Sequence, residues 1–500
     1  LKIFSTAQIR AWDQHTITET PIDSVALMNR AAKAFADWFI GLYPDTKRPV
    51  CVFAGAGNNG GDGLAVARLL HQAFYTAKVF VCDFNLKHSG DFDAQWGVLP
   101  EAIERIVIQP GSGDFSVPAD AVVIDALFGS GLSRPLTGAW AGLIKHLNSL
   151  PNERVAIDLP SGLFADIHTD GPIIRADRTF SFETPKLAFL FPENGQWVGQ
   201  WGYGSIGLLP DFAAREATPY HYTTRTEAAA IIQPRATFSH KGTYGHALIL
   251  AGSYGKIGAA VLATRACLRA GAGLATVHAP RCGYDVLQST VPEAMFWADP
   301  DQEIWTTVPD PGPYTAIGIG PGIGTEPATA HALEQLLRQA TRPLVLDADA
   351  LNLLALNPAW WPLVPKRSIL TPHPKEFERL FGKAADDFER NALHRRQAVA
   401  HGVYIVLKGA NTAIAGPEGA CWFNSTGNPG MATGGSGDVL TGLLTGLLAQ
   451  EYDPGDACRL GVYLHGLAGD LASADWSQPG MISGDLVDFL GKAWLKMVKG

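Results

Sequence analysis

No run of lysines or arginines interrupts these 500 residues, and the formal net charge is −9. A surface that tracks nucleic-acid phosphates needs clustered cations, so general nucleic-acid binding is excluded, while small anions in local sites are not. Cysteine is scarce: Cys51, Cys82, Cys267, Cys282, Cys421 and Cys458 lie far apart with no C-x-x-C pair. That excludes a disulfide frame or a thiolate zinc site and suits reduced, buried thiols. No apolar run approaches the roughly 20 residues that span a bilayer, so no membrane is expected. The opening LKIFSTAQIRAWDQ has neither a signal-peptide core nor an Arg/Ser-rich transit pattern, and a cytoplasmic location is the expectation. A P-loop is also missing, because Lys256 in GSYGKIG is followed by Ile257 where Ser or Thr should stand.

What is present is ordinary globular chemistry, 47% apolar and 17% charged, in a chain too long for one hydrophobic core. Short β-branched runs such as PVCVFAG, AKVFVCDF, DAVVIDALFG and RVAIDLPSG alternate with helical patterns. That rhythm gives an α/β fold with parallel sheets covered by helices on both faces. Around residues 209–240 the rhythm breaks into scattered prolines with no strand pattern, and it resumes with HALILAGS. Two domains are therefore expected, residues 1–222 and 223–500, each an α/β sheet.

The richest stretch is NPGMATGGSGDVLTGLLTGLL, residues 428–448. Leu440, Leu443, Leu444, Leu447 and Leu448 recur with the spacing of a buried helix face, so a helix starts near Asp438. Its first-turn N–H groups lack intrahelical partners, and the preceding glycines would let an anion approach the main chain, a phosphate being the natural guest. Asp438 would stand beside that phosphate as a catalytic carboxylate; a simple helix cap is the plainer alternative.

In the first half, PVCVFAGAGNNGGDGLAVARLL reads as strand, glycine loop and helix, and GAGNNG formally satisfies the dinucleotide fingerprint, with Asp83 ending the next strand. Asp62 counts against that reading, since it would stand where a pyrophosphate lies. Asn58, Asn59 and Asp62, then Asp125 at a strand end, then Asp158 and Ser161 in DLPSG supply oxygens that would converge at the carboxyl ends of parallel strands. Such oxygens suit a cation such as potassium or a polar substrate, and no histidine or thiol points to zinc. Taken singly, each Asp is better explained as a cap or turn, and it is three strand ends carrying Asn, Asp and Asp-x-x-Ser together that shift the reading toward a site.

In that order, NNGGDG, VVIDALFGSGLSRPLTG, DLPSG and TPKLAFLFPEN resemble the epimerase domain of the NAD(P)H-hydrate repair enzymes, and the likeness runs across residues 1–215. The resemblance implies a Rossmann-like domain. Its substrate pocket would comprise Asn58, Asn59, Gly60, Gly61 and Asp62 with Gly129, Ser130, Gly131, Leu132, Ser133, Arg134 and Pro135. It also implies a potassium ion held by Asn59, Asp125 and Ser161, with Asp158 on the substrate and Lys186 as a catalytic partner.

In the second half, SHKGTYG, AGSYGKIGAAVLATRACLRAGAGL, GIGPGIG, LDADALN, TPHPKEF, LKGANT and NPGMATGGSGD are similar, in order, to the nucleotide-dependent NAD(P)H-hydrate dehydratases of ribokinase-like fold. There Asp438 would take a proton from the substrate hydroxyl. Substrate contacts are implied for Ala259, Gly322, His373 and Asp438, and contacts to ADP or ATP with magnesium for Lys408, Gly409, Ala410, Asn411, Thr412 and Gly437. Two positions depart from the family's usual residues, Pro429 where alanine is common and Ser436 where Met or Thr occurs. From the residues alone, His373 between two prolines reads first as a rigid turn residue, and Lys408 at a strand end is as readily a nucleotide contact as a solvated lysine.

The resemblance thus implies metabolite repair on the small molecules NADHX and NADPHX: epimerisation of the R and S forms, then nucleotide-driven dehydration of the S form. It also implies a homo-oligomer. The rival reading is a ribokinase-like small-alcohol kinase carrying a non-catalytic N-terminal binding module.

Overall fold

The structure, a computed structural model, describes residues 1–84, 87–110 and 115–498. The chain divides into two compact units, one holding Lys2–Thr218 with Asp386–Phe388, the other holding Leu1, Pro219–Ala385 and Glu389–Gly500.

In the first unit the strands β1 (Val50–Ala54), β2 (Ala77–Cys82), β3 (Glu104–Ile108), β4 (Val122–Ala126), β5 (Glu153–Ile157), β6 (Arg178–Phe182) and β7 (Gln200–Gly204) form one sheet in the order β3-β2-β1-β4-β5-β6-β7. Every pairing is parallel. Residues along β1 alternate between two cores: Val50, Val52 and Ala54 in one, Cys51 and Phe53 in the other. Burial on both faces is why these strands read as continuous apolar runs. Helices α1 (Thr6–Glu19), α2 (Ser24–Leu42) and α3 (Asn58–Gln72) belong to this unit. Chain order reverses between β1 and β4, so the loops leaving them diverge and open a crevice at their carboxyl ends.

The second unit's sheet contains β8 (Tyr220–Thr223), β9 (His246–Leu250), β10 (Leu274–Ala279), β11 (Met295–Ala298), β12 (Ala316–Ile319), β13 (Leu344–Leu346), β14 (Ile369–Leu370), β15 (Tyr404–Leu407), β16 (Ala413–Ala415) and β17 (Cys421–Asn424). Their order is β11-β10-β9-β12-β13-β14-β15-β16-β17-β8, again reversing direction, here between β9 and β12. The helices that matter below are α4 (Ile257–Ala270), α5 (Pro374–Phe381), α6 (Ser436–Ala449) and α7 (Pro454–Trp476). From Val439 to Ala449 every residue of α6 is buried, as expected of a helix that is apolar all round. Gly442 and Gly446 let it press on α4: an added Cβ would lie 1.9 Å from the Ala263 carbonyl oxygen and 2.5 Å from that of Cys267.

Two features depart from the expected parallel layout. The β15-β16 and β16-β17 pairings are antiparallel, because residues 408–412 and 416–420 are too short for a helical crossover and close hairpins instead. The stretch expected to lack strands contains β8, which pairs parallel to β17. The break between units consequently falls at Thr218/Pro219, ahead of the expected junction at 222, since Cys421 N donates to Pro219 O and Tyr220–Thr223 pair in register with Cys421–Asn424.

Candidate active sites

A cavity of about 680 Å³ opens at the crevice of the first sheet. Asn58, Asn59 and Asp62 line it from the start of α3, and Gly129, Ser130, Gly131, Leu132, Ser133 and Arg134 from the loop after β4. Asp158 lines it after β5 and Lys186 beyond β6. Gly60, Gly61 and Pro135, expected in the pocket, are not among its lining residues. Gly60 lies against backbone, where an added Cβ would meet the Gly55 carbonyl oxygen at 1.7 Å, and Gly61 faces the Met28 side chain of α2. Both serve the packing of α3.

Lys186 Nζ pairs with Asp158 Oδ1 at 2.9 Å and donates to Phe182 O at 3.3 Å, with the lysine side chain only 3% exposed. Two unusual turns sit beside this pair. Asp158 has φ +64° with Leu159 N–H donating to Ile157 O, and Glu183 has φ +61° with Thr184 N–H donating to Phe182 O. Each is the rare, strained form of γ-turn, and each places an acidic residue directly after a strand. The Glu183 carboxylate accepts from Ser205 Oγ and Ile206 N.

Asp125 and Ser161 meet behind the cavity: Ser161 Oγ donates to Asp125 Oδ1 at 2.5 Å and Ser161 N to Oδ2 at 2.7 Å. Burial pushes Asp125 up to about 6, against the hydrogen bonds from Ser161 and Leu127 that favour its charge. Asn59 Oδ1 lies 3.2 Å from where a Gly129 Cβ would stand, and its buried Nδ2 has no hydrogen-bond partner. Phe128 N donates to Ser161 Oγ at 2.8 Å, so one loop joins these groups.

Ile9, Arg10 and Asp13 of α1, Lys87, Phe182, Glu183, Ile206 and Leu208 also line the cavity but carried no sequence signal of their own. The one pattern that could have found Glu183 is the repeat of acid, any residue, proline in Asp158-Leu159-Pro160 and Glu183-Thr184-Pro185.

In the second unit α6 begins at Ser436 after Gly435, whose φ of +93° turns the chain into the helix. Asp438 stands in the first turn and makes no capping bond, which removes the plain cap reading. Burial first, then Asp347 and Asp349, push its carboxyl up to about 6, while Lys408 pulls it down. Lys408 Nζ donates to Asp347 Oδ1 at 2.9 Å and lies 4.0 Å from Glu376 Oε2. Burial works against this ammonium, yet Asp347, Glu376 and Asp438 hold its pKa above the ordinary lysine value. Thr441 Oγ1 donates to the other oxygen of Asp347 at 2.8 Å. Gly437 closes the group, since a Cβ there would lie 3.2 Å from Lys408 Nζ and 3.5 Å from Asp347 Oδ2.

His373 caps α5: its Nδ1 accepts from Lys375 N and Glu376 N, and Glu376 accepts in return from His373 N at 2.8 Å. The ring is a rigid turn element whose remaining nitrogen lies 3.5 Å from Glu376 Oε1, which ties it to the Lys408 cluster. Ala259 and Gly322 are neighbours, with 3.4 Å between Ala259 Cβ and a Cβ built on Gly322. Gly409, Ala410, Asn411 and Thr412 form the β15-β16 turn, closed by Gly409 N donating to Thr412 Oγ1 at 3.3 Å.

Asp347, Glu376, Thr441 and His465 were not foreseen. Asp347 follows an apolar strand in LDADALN, the same strand-end signal that marked Asp125. His465 of α7 donates from Nε2 to the Ser436 carbonyl at 3.0 Å, and burial pushes its pKa down to about 4, so a neutral ring anchors the start of α6.

A family model described as NAD(P)H-hydrate dehydratase matches residues 247–492, and one described as YjeF-related protein N-terminus matches residues 24–188. The chain is 35% identical to the bifunctional NAD(P)H-hydrate repair enzyme of Moorella thermoacetica over 98% of this chain and 96% of the relative. A ribokinase-like superfamily protein of Enterococcus faecalis superposes with a TM-score of 0.50 at 28% identity, covering 57% of this chain and 99% of that one. An ADP/ATP-dependent NAD(P)H-hydrate dehydratase of Bacillus subtilis, co-crystallised with ATP and magnesium, is 34% identical over 55% of this chain and 98% of its own, with a TM-score of 0.48.

Fold and sites together define a two-domain α/β enzyme, a Rossmann-like sheet with a buried carboxylate–lysine pair followed by a ribokinase-like sheet with an acid at a helix N-terminus. The chain belongs to the bifunctional NAD(P)H-hydrate repair enzymes, with an epimerase-type first domain and a dehydratase-type second domain. Membership over nearly the whole chain does not favour the small-alcohol kinase with an inert first domain.

Proposed function

We propose that the first domain interconverts the R and S forms of NADHX and NADPHX, and that the second dehydrates the S form to NADH or NADPH with ADP, or ATP, as phosphoryl donor. The products are AMP, or ADP, and phosphate. The observation that carries this reading is Asp438, an uncapped acid in the first turn of a helix whose approach is glycine, beside a lysine held charged by two further carboxylates. Hydroxide leaves poorly at neutral pH. Asp438 takes the proton of the ring hydroxyl as its oxygen attacks the terminal phosphorus, and the free N–H groups of α6 meet the charge on the transferred group. Phosphate then departs from this ester as the ring nitrogen's lone pair forms a C=N bond, and loss of a proton from the adjacent ring carbon returns those electrons to nitrogen and restores the dihydronicotinamide. Lys408 and the turn Gly409–Thr412 face the nucleotide, while Ala259, Gly322 and His373 border the hydrate.

Magnesium supplies charge neutralisation on the nucleotide phosphates. Asp347 and Glu376, within 4.0 Å of Lys408, are hard-oxygen groups of the kind that would hold it. In the first domain the donors fit a monovalent cation: a buried carboxylate, a hydroxyl, and the Asn59 amide, whose unpartnered end becomes an oxygen if the amide is turned over. Potassium held by Asn59, Asp125 and Ser161 would offset the Asp125 charge and stiffen the loop bearing Gly129–Arg134.

Among the described residues no helix is long and apolar enough to cross a membrane. We place the enzyme in the cytoplasm as a homo-oligomer, which light scattering tests. The function is tested by following dihydronicotinamide absorbance after adding enzyme, magnesium and ADP or ATP to both NADH-hydrate epimers. Full recovery by wild type, rapid but partial recovery by Asp158→Ala and none by Asp438→Ala is expected. No recovery with either nucleotide overturns the dehydratase, and a stable phosphorylated product would turn the reading to a kinase.

A further inference from the structure

Asp13 precedes the residues, 24–188, that the N-terminal family description matches, yet its helix forms part of the cavity wall. Helix α1 is fixed by Trp12, whose ring lies 5.3 Å from Phe4 and stacks on Phe212 at 5.9 Å, and whose Nε1 donates to Leu209 O at 2.7 Å. With that face anchored, Ile9, Arg10 and Asp13, at i, i+1 and i+4, turn toward the cavity.

The groups that act on Asp13 come from two other segments, Lys186 and Glu183 beyond β6 and Asp158 after β5, while Asp13 and Asp158 in turn act on Asp62 in α3. Glu183 is engaged by Ser205 and Ile206, and Asp158 by Lys186. Among the described residues neither Asp13 nor Asp62 has a hydrogen bond or ion pair of its own. Three carboxyl groups, Asp13, Asp62 and Asp158, thus gather near the Lys186 ammonium in a partly dry cavity that Arg10, Lys87 and Arg134 also line, and burial beside like charges favours a proton on Asp13 and Asp62. Burial first, then Asp158 and Glu183, push Asp13 up to about 7 against the pull of Lys186, whereas burial with three like charges, Asp158, Asp13 and Asp91, pushes Asp62 well above the carboxylate range. Asp62 therefore holds its proton more tightly than an ordinary carboxyl group. Asp13 is the group that gains and loses a proton near neutrality.

Resting on the epimerase reading above, we propose that Asp13 is the second proton-transfer residue of the first domain, working opposite the Asp158–Lys186 pair. The ring-nitrogen lone pair forms a C=N bond as the C–O bond breaks, and the Asp13 carboxyl gives its proton to the departing oxygen, which leaves as water. Water then adds to the other face of the planar carbon, the C=N electrons return to nitrogen, and the Asp158 carboxylate takes the added water's proton. One proton has moved from Asp13 to Asp158, and the reverse epimerisation runs the same transfers backward. Both directions need one proton shared by the two acids.

The test follows epimer interconversion by the full chain with nucleotide omitted, which silences the second domain. Asp13→Asn is expected to lower kcat about 100-fold with KM changed less than about threefold, the range for loss of a general acid. The wild-type rate should fall as pH rises through about 7, where the shared proton is lost, and the residual Asp13→Asn rate should lack that fall. Asp13→Glu should restore much of the rate with a displaced alkaline limb. An unchanged urea unfolding transition of the first domain reports that Asp13→Asn is folded; if it is not, the Asp13→Glu profile decides. An Asp13→Asn rate within about threefold of wild type, or an alkaline limb unmoved in Asp13→Glu, overturns the inference and leaves the epimerase standing. Wild type that does not accelerate interconversion overturns both.

Discussion

Asp158 faces one lysine at 2.9 Å inside a cavity walled mainly by side chains from four parts of the first domain. Asp438 stands in the first turn of a helix whose approach is glycine, and the groups beside it are as much main chain as side chain. Both lie at the carboxyl ends of parallel strands near a reversal of strand order. The difference matches the chemistry. Moving a proton needs acids whose environments set them apart, and burial with a shared ammonium does that. Moving a phosphoryl group needs many fixed donors and a single base, and a bare helix end provides them.

If that division holds, each domain fails alone. The largest effect is expected for Asp438→Asn, which should slow dehydration by about 1,000-fold and leave epimerisation intact, measured by the two assays on one preparation. Next comes Asp158→Asn. It should slow epimerisation by about 100-fold. By leaving Lys186 buried without its partner, it should also cost the first domain about 3 kcal/mol in urea denaturation. A loss of dehydration with it would break the comparison.

Acidity sharpens the contrast further. Asp438 acts as a base and needs its charge, so the dehydration rate should rise with pH through about 6 and level off above it. Lys408→Met removes the cation that pulls Asp438 down, so the same rise should move to higher pH while nucleotide affinity drops by about tenfold. The smallest effect is expected for Gly437→Ala, whose methyl would sit 3.2 Å from Lys408 Nζ: a few-fold rise in nucleotide KM, read by steady-state kinetics, with epimerisation unchanged.

The second site was more legible in the sequence because its parts are contiguous. Gly434, Gly435, Gly437 and Asp438 occur within five residues, and the leucines behind them announce the helix. Its cation cluster was less so, since Asp347 and Lys408 come from two strand ends and Glu376 from the first turn of α5, whose adjacency depends on sheet order. In the first domain the strand-end acids Asp125 and Asp158 could be read, but Asp13 could not: on α1 it is one polar residue on a helix surface, and only the packing of Trp12 turns it inward. The hairpins after β15 and the lone strand β8 escaped the alternation rule because each spans only three or four residues.

That lone strand has a practical meaning for anyone dividing the protein. The connector between the domains is also the outer rung of the second sheet, hydrogen-bonded to β17 from Tyr220 to Thr223. A dehydratase fragment begun at residue 223 would expose the backbone of Cys421–Asn424 as a bare, sticky margin open to pairing between copies. Begun at Pro219, the same fragment keeps β17 paired and leaves open only the outer side of the short β8, where Tyr222 meets Leu1. The seam between the two activities is thus four residues to the left of where hydrophobic rhythm alone would cut.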